Sequence, residues 1–379
     1  MRKSKIYKIA GGFVIGAIVV GAIGYSQLSN RHKAIVKTEF LFRTGIVKNK
    51  WDIDKEPSEY RMISPTFLID GIYKSMEGPK ATNFVQLSQD TSLVWLTGFK
   101  VKALDSKMTT QLSNDFICHT NIDFNDSRYY TGFGLLNRVG VQYPRMTSLS
   151  NGQESFEFPK GYGIPMRGND LLTVTTESLN HNIKDADLWI KHEIDIDYQK
   201  NGDGLKPLMT RTIFVALPFD EKDPYKEPLD PAANSCIPVE TKNHTYDDGK
   251  GGKLSGHWVI PPGKSTWHSS IDGQLQMKDS LRLHAAAVHV HPFSTSLTVF
   301  DLTDNKVIFK SEMTNYKDKI GLEKVTAFSS EQGIWLYANH HYELRQECDN
   351  TTAIDQDMMG SMFLFFYDAE LESKIRQKP

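Results

Sequence analysis

The chain has little cysteine. Its three cysteines, Cys118, Cys236 and Cys348, are spread over 379 residues. They allow at most one disulfide within the chain and leave an odd thiol. A cysteine-stapled scaffold is excluded, so stability must come from packed cores. Charge of one sign is also missing: 44 Lys and Arg stand against 46 Asp and Glu, for a net charge of −2. There is no basic stripe, and nucleic acid is not an expected partner. The sequence holds neither a Gly-x-Ser-x-Gly nucleophile elbow nor a His-Glu-x-x-His zinc helix. Gly263-Lys264-Ser265 matches the end of a phosphate-binding loop, but Trp258 stands where the motif needs its first glycine. Long segments of helical period are few, and no short internal repeat is visible.

What is present describes a globular protein, with 39% hydrophobic and 24% charged residues. The length suits two domains of ordinary size. The N-terminus reads as an address. Met1-Arg2-Lys3-Ser4-Lys5 is basic, and Ile9 to Tyr25 is apolar or small without a charge. That run is close to the ~20 apolar residues that span a bilayer. Residues 1–30 are thus expected to be either an uncleaved membrane anchor or a cleaved signal peptide. Both place the chain from about residue 31 onward outside the cytoplasm, periplasmic or extracellular.

Strand-like runs dominate after residue 60. Thr91 to Leu104, Leu171 to Thr176, Leu188 to Tyr198 and Thr210 to Leu217 are four of them. Ser296 to Leu302, Lys306 to Ser311 and Met362 to Tyr367 are three more, and Thr303-Asp304-Asn305 reads as a tight hairpin. Many short strands separated by turn residues predict an all-β protein of β-sandwiches. The polar, glycine-bearing stretch Gln199 to Gly204 predicts a boundary, giving domains over 31–204 and 205–379. Pro218 to Gly249 reads as a long loop.

The stretch Leu283 to Phe293 contains His289-Val290-His291. Its apolar and β-branched residues suit a strand, where side chains alternate faces. His289 and His291 then point the same way, and two imidazoles at a strand end are half of a zinc or copper site. On its own such a pair also arises by chance.

Two further stretches add context: Tyr342 to Thr352, a strand leading into a polar loop, and Asp357 to Tyr367, a Met just before a final aromatic strand. Together with Val288-His289-Val290-His291 they resemble the copper type II, ascorbate-dependent monooxygenases. That is the group of peptidylglycine α-hydroxylating monooxygenase and dopamine β-monooxygenase. The resemblance covers about residues 205–370. It implies two stacked jelly-roll-like domains and a catalytic copper on His289, His291 and Met359, since Met359 matches the family's Met better than Met358 does. Two imidazoles and a thioether make chemical sense: the thioether favours Cu(I), and imidazole also suits Cu(II).

The resemblance further implies a second copper in the first domain, held by a vicinal His-His pair and a later His. Here the pair falls on Cys118-His119, with a cysteine where the first histidine would sit, and His181 is the candidate third ligand. Cys118 is either a thiolate ligand or the mark of a degenerate site, so one or two copper ions are expected per chain. The remaining histidines read as structural. His340-His341 lies in the wrong half, His284 faces away from His289, and His192 lies among strand-face acids. His257 and His268 are core or supporting residues, and His32 is solvated.

What this implies is a membrane-anchored copper monooxygenase. It would hydroxylate a small molecule or peptide with O₂ and an external one-electron donor such as ascorbate. The alternatives are a non-catalytic copper-binding or copper-transfer protein, and an interaction module whose histidines are structural.

Overall fold

The computed structural model describes residues 16, 19–200, 202, 204–218, 245–247 and 250–377. Most of the predicted anchor (1–15, 17 and 18) and most of the predicted 218–249 loop, with Cys236, lie outside them. Among the described residues no helix is long and apolar enough to cross a membrane. The helix Asn30–Arg43 leads into the first domain. Ser29 caps its first turn, Ala34 is buried, and Lys37 pairs with Asp70.

The chain is all-β and forms two stacked jelly rolls. In the first half, one sheet runs Glu59–Ile63, Leu188–Gln199, Leu93–Asp105, Tyr162–Arg167. The facing sheet runs Lys80–Val85, Leu172–Ser178, Ile117–Phe124, Arg145–Leu149. In the second half, Lys206–Phe214, Gln356–Tyr367, Leu281–Val290 and Phe328–Leu336 face Gly263–Ser270, Tyr342–Asn350, Ser294–Asp301 and Lys306–Asn315. Counting the main strands of each half in chain order, both halves read first, eighth, third, sixth over second, seventh, fourth, fifth. That order is the jelly roll. The expected strands are present, most of them slightly longer than the sequence suggests. The 303–305 hairpin forms with Asn305 at φ +51°, its turn held by Asp301 Oδ1, which accepts from the Thr303 and Asp304 N–H groups.

Alternation along Leu188–Gln199 shows how the sandwich is built. Ile190, Ile194, Ile196 and Tyr198 point into the core. The intervening acids form an outer ladder: Asp195 with Arg61, Asp197 with Lys100, Glu193 with Lys102. His192 shares the inward parity. It is fully buried, edge-on to Phe67, with Nδ1 2.7 Å from Thr176 Oγ1.

The two halves are not independent bodies joined by a linker. Lys206 and Pro207 pair in parallel with Tyr162 and Gly163, which merges one sheet of each jelly roll into a single 12-stranded sheet. The strands Leu281–Val290 and Gln356–Tyr367 also have two buried faces. Ala286, Val288, Met358, Met362, Leu364 and Phe366 fill the second core. Ala285, Ala287, Phe363 and Phe365 belong to the first, where Phe365 packs on Phe156 and Phe158. The turn at Ser150–Gln153 closes the seam. Gln153 Oε1 accepts from Val288 N at 2.7 Å, Asn151 Oδ1 from Leu322 N at 2.9 Å, and Gly152 O from Val325 N at 2.8 Å. Gly152 sits at φ +87°, and a Cβ there would press on Leu322, so the turn requires glycine.

Burial pushes the His192 ring down to about 4 from an ordinary 6.5. The folded state disfavours the protonated ring, so this contribution is complete above pH 6.5 and is lost as the pH falls toward 4. Between pH 7 and pH 5 the wild-type chain should lose about 2 kcal/mol more stability than His192→Asn, measured by urea unfolding. An equal loss in both proteins would show that this ring is not responsible.

Candidate metal centre

The two-faced strands decide where the histidines go. His289 and His291 continue the parity of Ala285 and Ala287, so they leave the second core and point at the first jelly roll. The strand ends at Val290, and His291 extends it with its N–H donating to Met359 O at 3.3 Å. The two rings are 5.9 Å apart between centroids, nearly perpendicular, and buried. Asp357, Met359, Ser361, Phe363 and Phe365 share one parity on the neighbouring strand, and Met359 stands opposite both His257 and the position of His291. Met358 takes the other parity, in the second core, where its Sδ accepts from Gln346 Nε2.

The first jelly roll meets this face with Cys118 and His119. Strand neighbours should face opposite ways. Here the pairing of Ile117–Phe124 with Leu172–Ser178 skips one residue: His119 opposes Glu177, Ile117 opposes Ser178, and Cys118 is the extra residue of a bulge. A bulge re-aims a side chain. As a result Cys118 lines the seam cavity while His119 lies 6.2 Å, ring to ring, from His289. His119 Nδ1 is 3.3 Å from Cys118 Sγ. His181, in the turn after Leu172–Ser178, lines the same cavity as Cys118, His289 and His291. The six residues predicted as two separate ligand groups therefore gather in one region.

Residues the sequence reading did not single out, or placed only in support, surround them. Ser75 Oγ lies 3.3 Å from His291 Nε2 and 3.9 Å from Cys118 Sγ. Ser150 Oγ is 3.2 Å from His289 Nδ1. Glu177 Oε2 is 3.8 Å from His119 Nε2. Asp357 Oδ2 is 2.8 Å from His291 Nδ1, and its Oδ1 is 3.9 Å from His257 Nδ1. Asp357 was legible in principle, because it lies two residues before Met359 on one strand and must share its face. Ser75, Ser150 and Glu177 come from distant turns and strands and leave no local pattern.

Burial sets the protonation of the cluster. It holds His289 well below the ordinary histidine range. Burial also lowers His119 to about 3, helped by Arg145 and Lys80, and His181 to about 4. These rings are neutral at pH 7, the form that ligates metals. The Cys118 thiol is pushed up to about 12 by burial and by Glu177, so it ionises only if a cation compensates. Burial raises the Glu177 carboxyl to about 7.

The remaining histidines among the described residues are occupied elsewhere. His284, at a bulge, stacks on Tyr162 and contacts Ser330 O. His268 pairs with Glu343, His341 with Asp272, and His32 with Ser29. Among the described residues, one group of three His, Cys or acidic donor atoms lies within 4.8 Å of one another: Asp301, Asp304 and His340. Its bonds already build the 301–305 turn. The seam cluster is looser, so holding an ion requires its side chains to close in.

No family model and no curated protein sequence matches this chain. Solved structures with a likeness to it include the STIV MCP, at 10% identity over 81% of this chain and 98% of that one, TM-score 0.33. Another is the major capsid protein P2 from bacteriophage PM2, at 10% identity over 82% and 99%, TM-score 0.32. PNGF-II follows at 9% identity over 79% and 65%, TM-score 0.31.

Gly360 separates Met359 from Ser361, and a Cβ there would overlap the Gln346 amide. That amide bonds Ser294 Oγ, Met358 Sδ and Met359 O. Gly360→Ala is expected to cost about 2 kcal/mol in urea unfolding, since the buried amide must leave its bonds to Ser294, Met358 and Met359 to make room. A neutral effect would mean the strand relaxes freely beneath the cluster.

Proposed function

We propose that this chain is an extracytoplasmic copper protein whose centre lies on the seam between the jelly rolls. The first jelly roll contributes His119 and Cys118, and the second contributes His289 and His291. The observation that carries this reading is their convergence from two domains onto one buried face. Imidazoles with a thiol fit copper or zinc. Met359, on the same face beside His257 and His291, adds a thioether and tips the choice to copper, Cu(I) above all. Copper held there supplies one-electron chemistry. The protein's part is to keep His119 and His289 neutral, exclude water and orient the rings through Ser150, Glu177 and Asp357. Because the donors are enclosed, binding or transfer of copper is the favoured role.

The monooxygenase reading, with O₂ and a donor such as ascorbate, has one specific support. A cavity of about 50 Å³ touches His289, His291 and His181 and has apolar walls at Ile117, Leu179 and Phe293. It has room for a few waters or a small molecule rather than a peptide.

Copper stoichiometry on the purified chain, loaded with Cu(I) and dialysed, separates these readings. One copper per chain is expected, abolished by His291→Ala and equally by His119→Ala. Full copper in His119→Ala would break the shared centre. Two coppers with ascorbate-dependent O₂ uptake would favour the monooxygenase.

Met359→Ile keeps volume but removes the sulfur, and should weaken Cu(I) binding about tenfold or more in a chelator competition. Unchanged affinity would assign Met359 to packing.

A further inference from the structure

Asp357 lies near the start of Gln356–Tyr367, opposite Val259, just beyond the point where Leu281–Val290 stops pairing at Gly360. His257–Ile260 pairs on one side of Gln356–Tyr367 and Leu281–Val290 on the other. The Asp357 side chain is 0% exposed, and neither carboxylate oxygen receives a well-aimed hydrogen bond. Burying an ionised carboxylate in that way is costly unless positive charge lies close by. The atoms nearest to it among its ion-pair contacts are histidine nitrogens: His291 Nδ1 at 2.8 Å and His257 Nδ1 at 3.9 Å.

A carboxylate only accepts. His291 Nδ1 is not well aimed at the carboxylate either, but a bare ring nitrogen at 2.8 Å would set lone pair against lone pair, so the close approach calls for a proton on Nδ1. Its Nε2 then presents a lone pair, and that atom faces Ser75 Oγ, itself next to Cys118 Sγ.

We propose that Asp357 is the positioning residue of the seam centre. It fixes His291 in the Nδ1–H tautomer and turns Nε2 toward Ser75 and Cys118. Carboxylates that hold the far nitrogen of a metal-bound histidine act in this way. The inference rests on the copper reading above, but its first consequence concerns the metal-free protein.

The test uses the full chain, labelled with ¹⁵N-histidine and kept free of metal, with His291→Gln to assign the signals. Long-range ¹H–¹⁵N spectra should show the His291 proton on Nδ1 in wild type. In Asp357→Leu it should move to Nε2 or exchange between the two nitrogens. Asp357→Asn retains an acceptor and should keep the wild-type tautomer, which protects the test if the leucine variant fails to fold. Cu(I) affinity should fall about 10- to 100-fold in Asp357→Leu and less in Asp357→Asn. A wild-type His291 proton on Nε2, or wild-type tautomer and affinity in Asp357→Leu, would overturn the proposal. If the tautomer follows Asp357 but wild type takes up no copper, the copper reading fails while Asp357 remains the residue that orients His291.

Discussion

The structure depends on two strands that are buried on both faces. Leu281–Val290 and Gln356–Tyr367 lie between two cores, and apart from the bulge at His284 each step along them changes which core a side chain enters. A one-residue slip would exchange the two sets completely. It would send Phe363 and Phe365 into the wrong sandwich and carry His289 and His291 with them. The register that packs the aromatic residues is thus the same register that aims the imidazoles. Packing specifies it strongly, because large apolar side chains fill both faces.

This constraint explains which parts were legible in the sequence. The β class, the main strands, the 303–305 turn and the shared facing of His289 and His291 follow from period-2 alternation and turn residues. Parity places Met358 in the second core and Met359 on the opposite face of the strand. The jelly-roll order itself is invisible to alternation: it concerns which strands pair, and the two halves share that order without a visible sequence repeat. The sequence also suggests two ligand groups, one per domain, because nothing local says that the domains press those faces together. The Cys118 bulge is equally silent, since it arises from pairing with Glu177 and Ser178 some sixty positions away.

The seam is held by polar turns as well as by apolar packing. Ser150, Asn151, Gly152 and Gln153 of the first jelly roll each bond or touch the second, and Asn182 exchanges two hydrogen bonds with Ile320. Those turns fix the rotation of one sandwich against the other. The spacing between His119 and His289 therefore belongs to the interface as a whole, and changes far from either ring can alter it.

The shared core has a further consequence for the order of events during synthesis. The first jelly roll contains its own eight main strands by residue 199, yet its interior also takes in Leu208, Ala285, Ala287, Phe363, Phe365 and Leu371. A ribosome that has released the first half has released a sandwich with an open flank. The flank closes only when the last strand and the helix Ala369–Arg376 arrive. Such long-range closure is slow and leaves apolar surface exposed in the meantime. The two jelly rolls share one core, and the helix Ala369–Arg376 is its clasp.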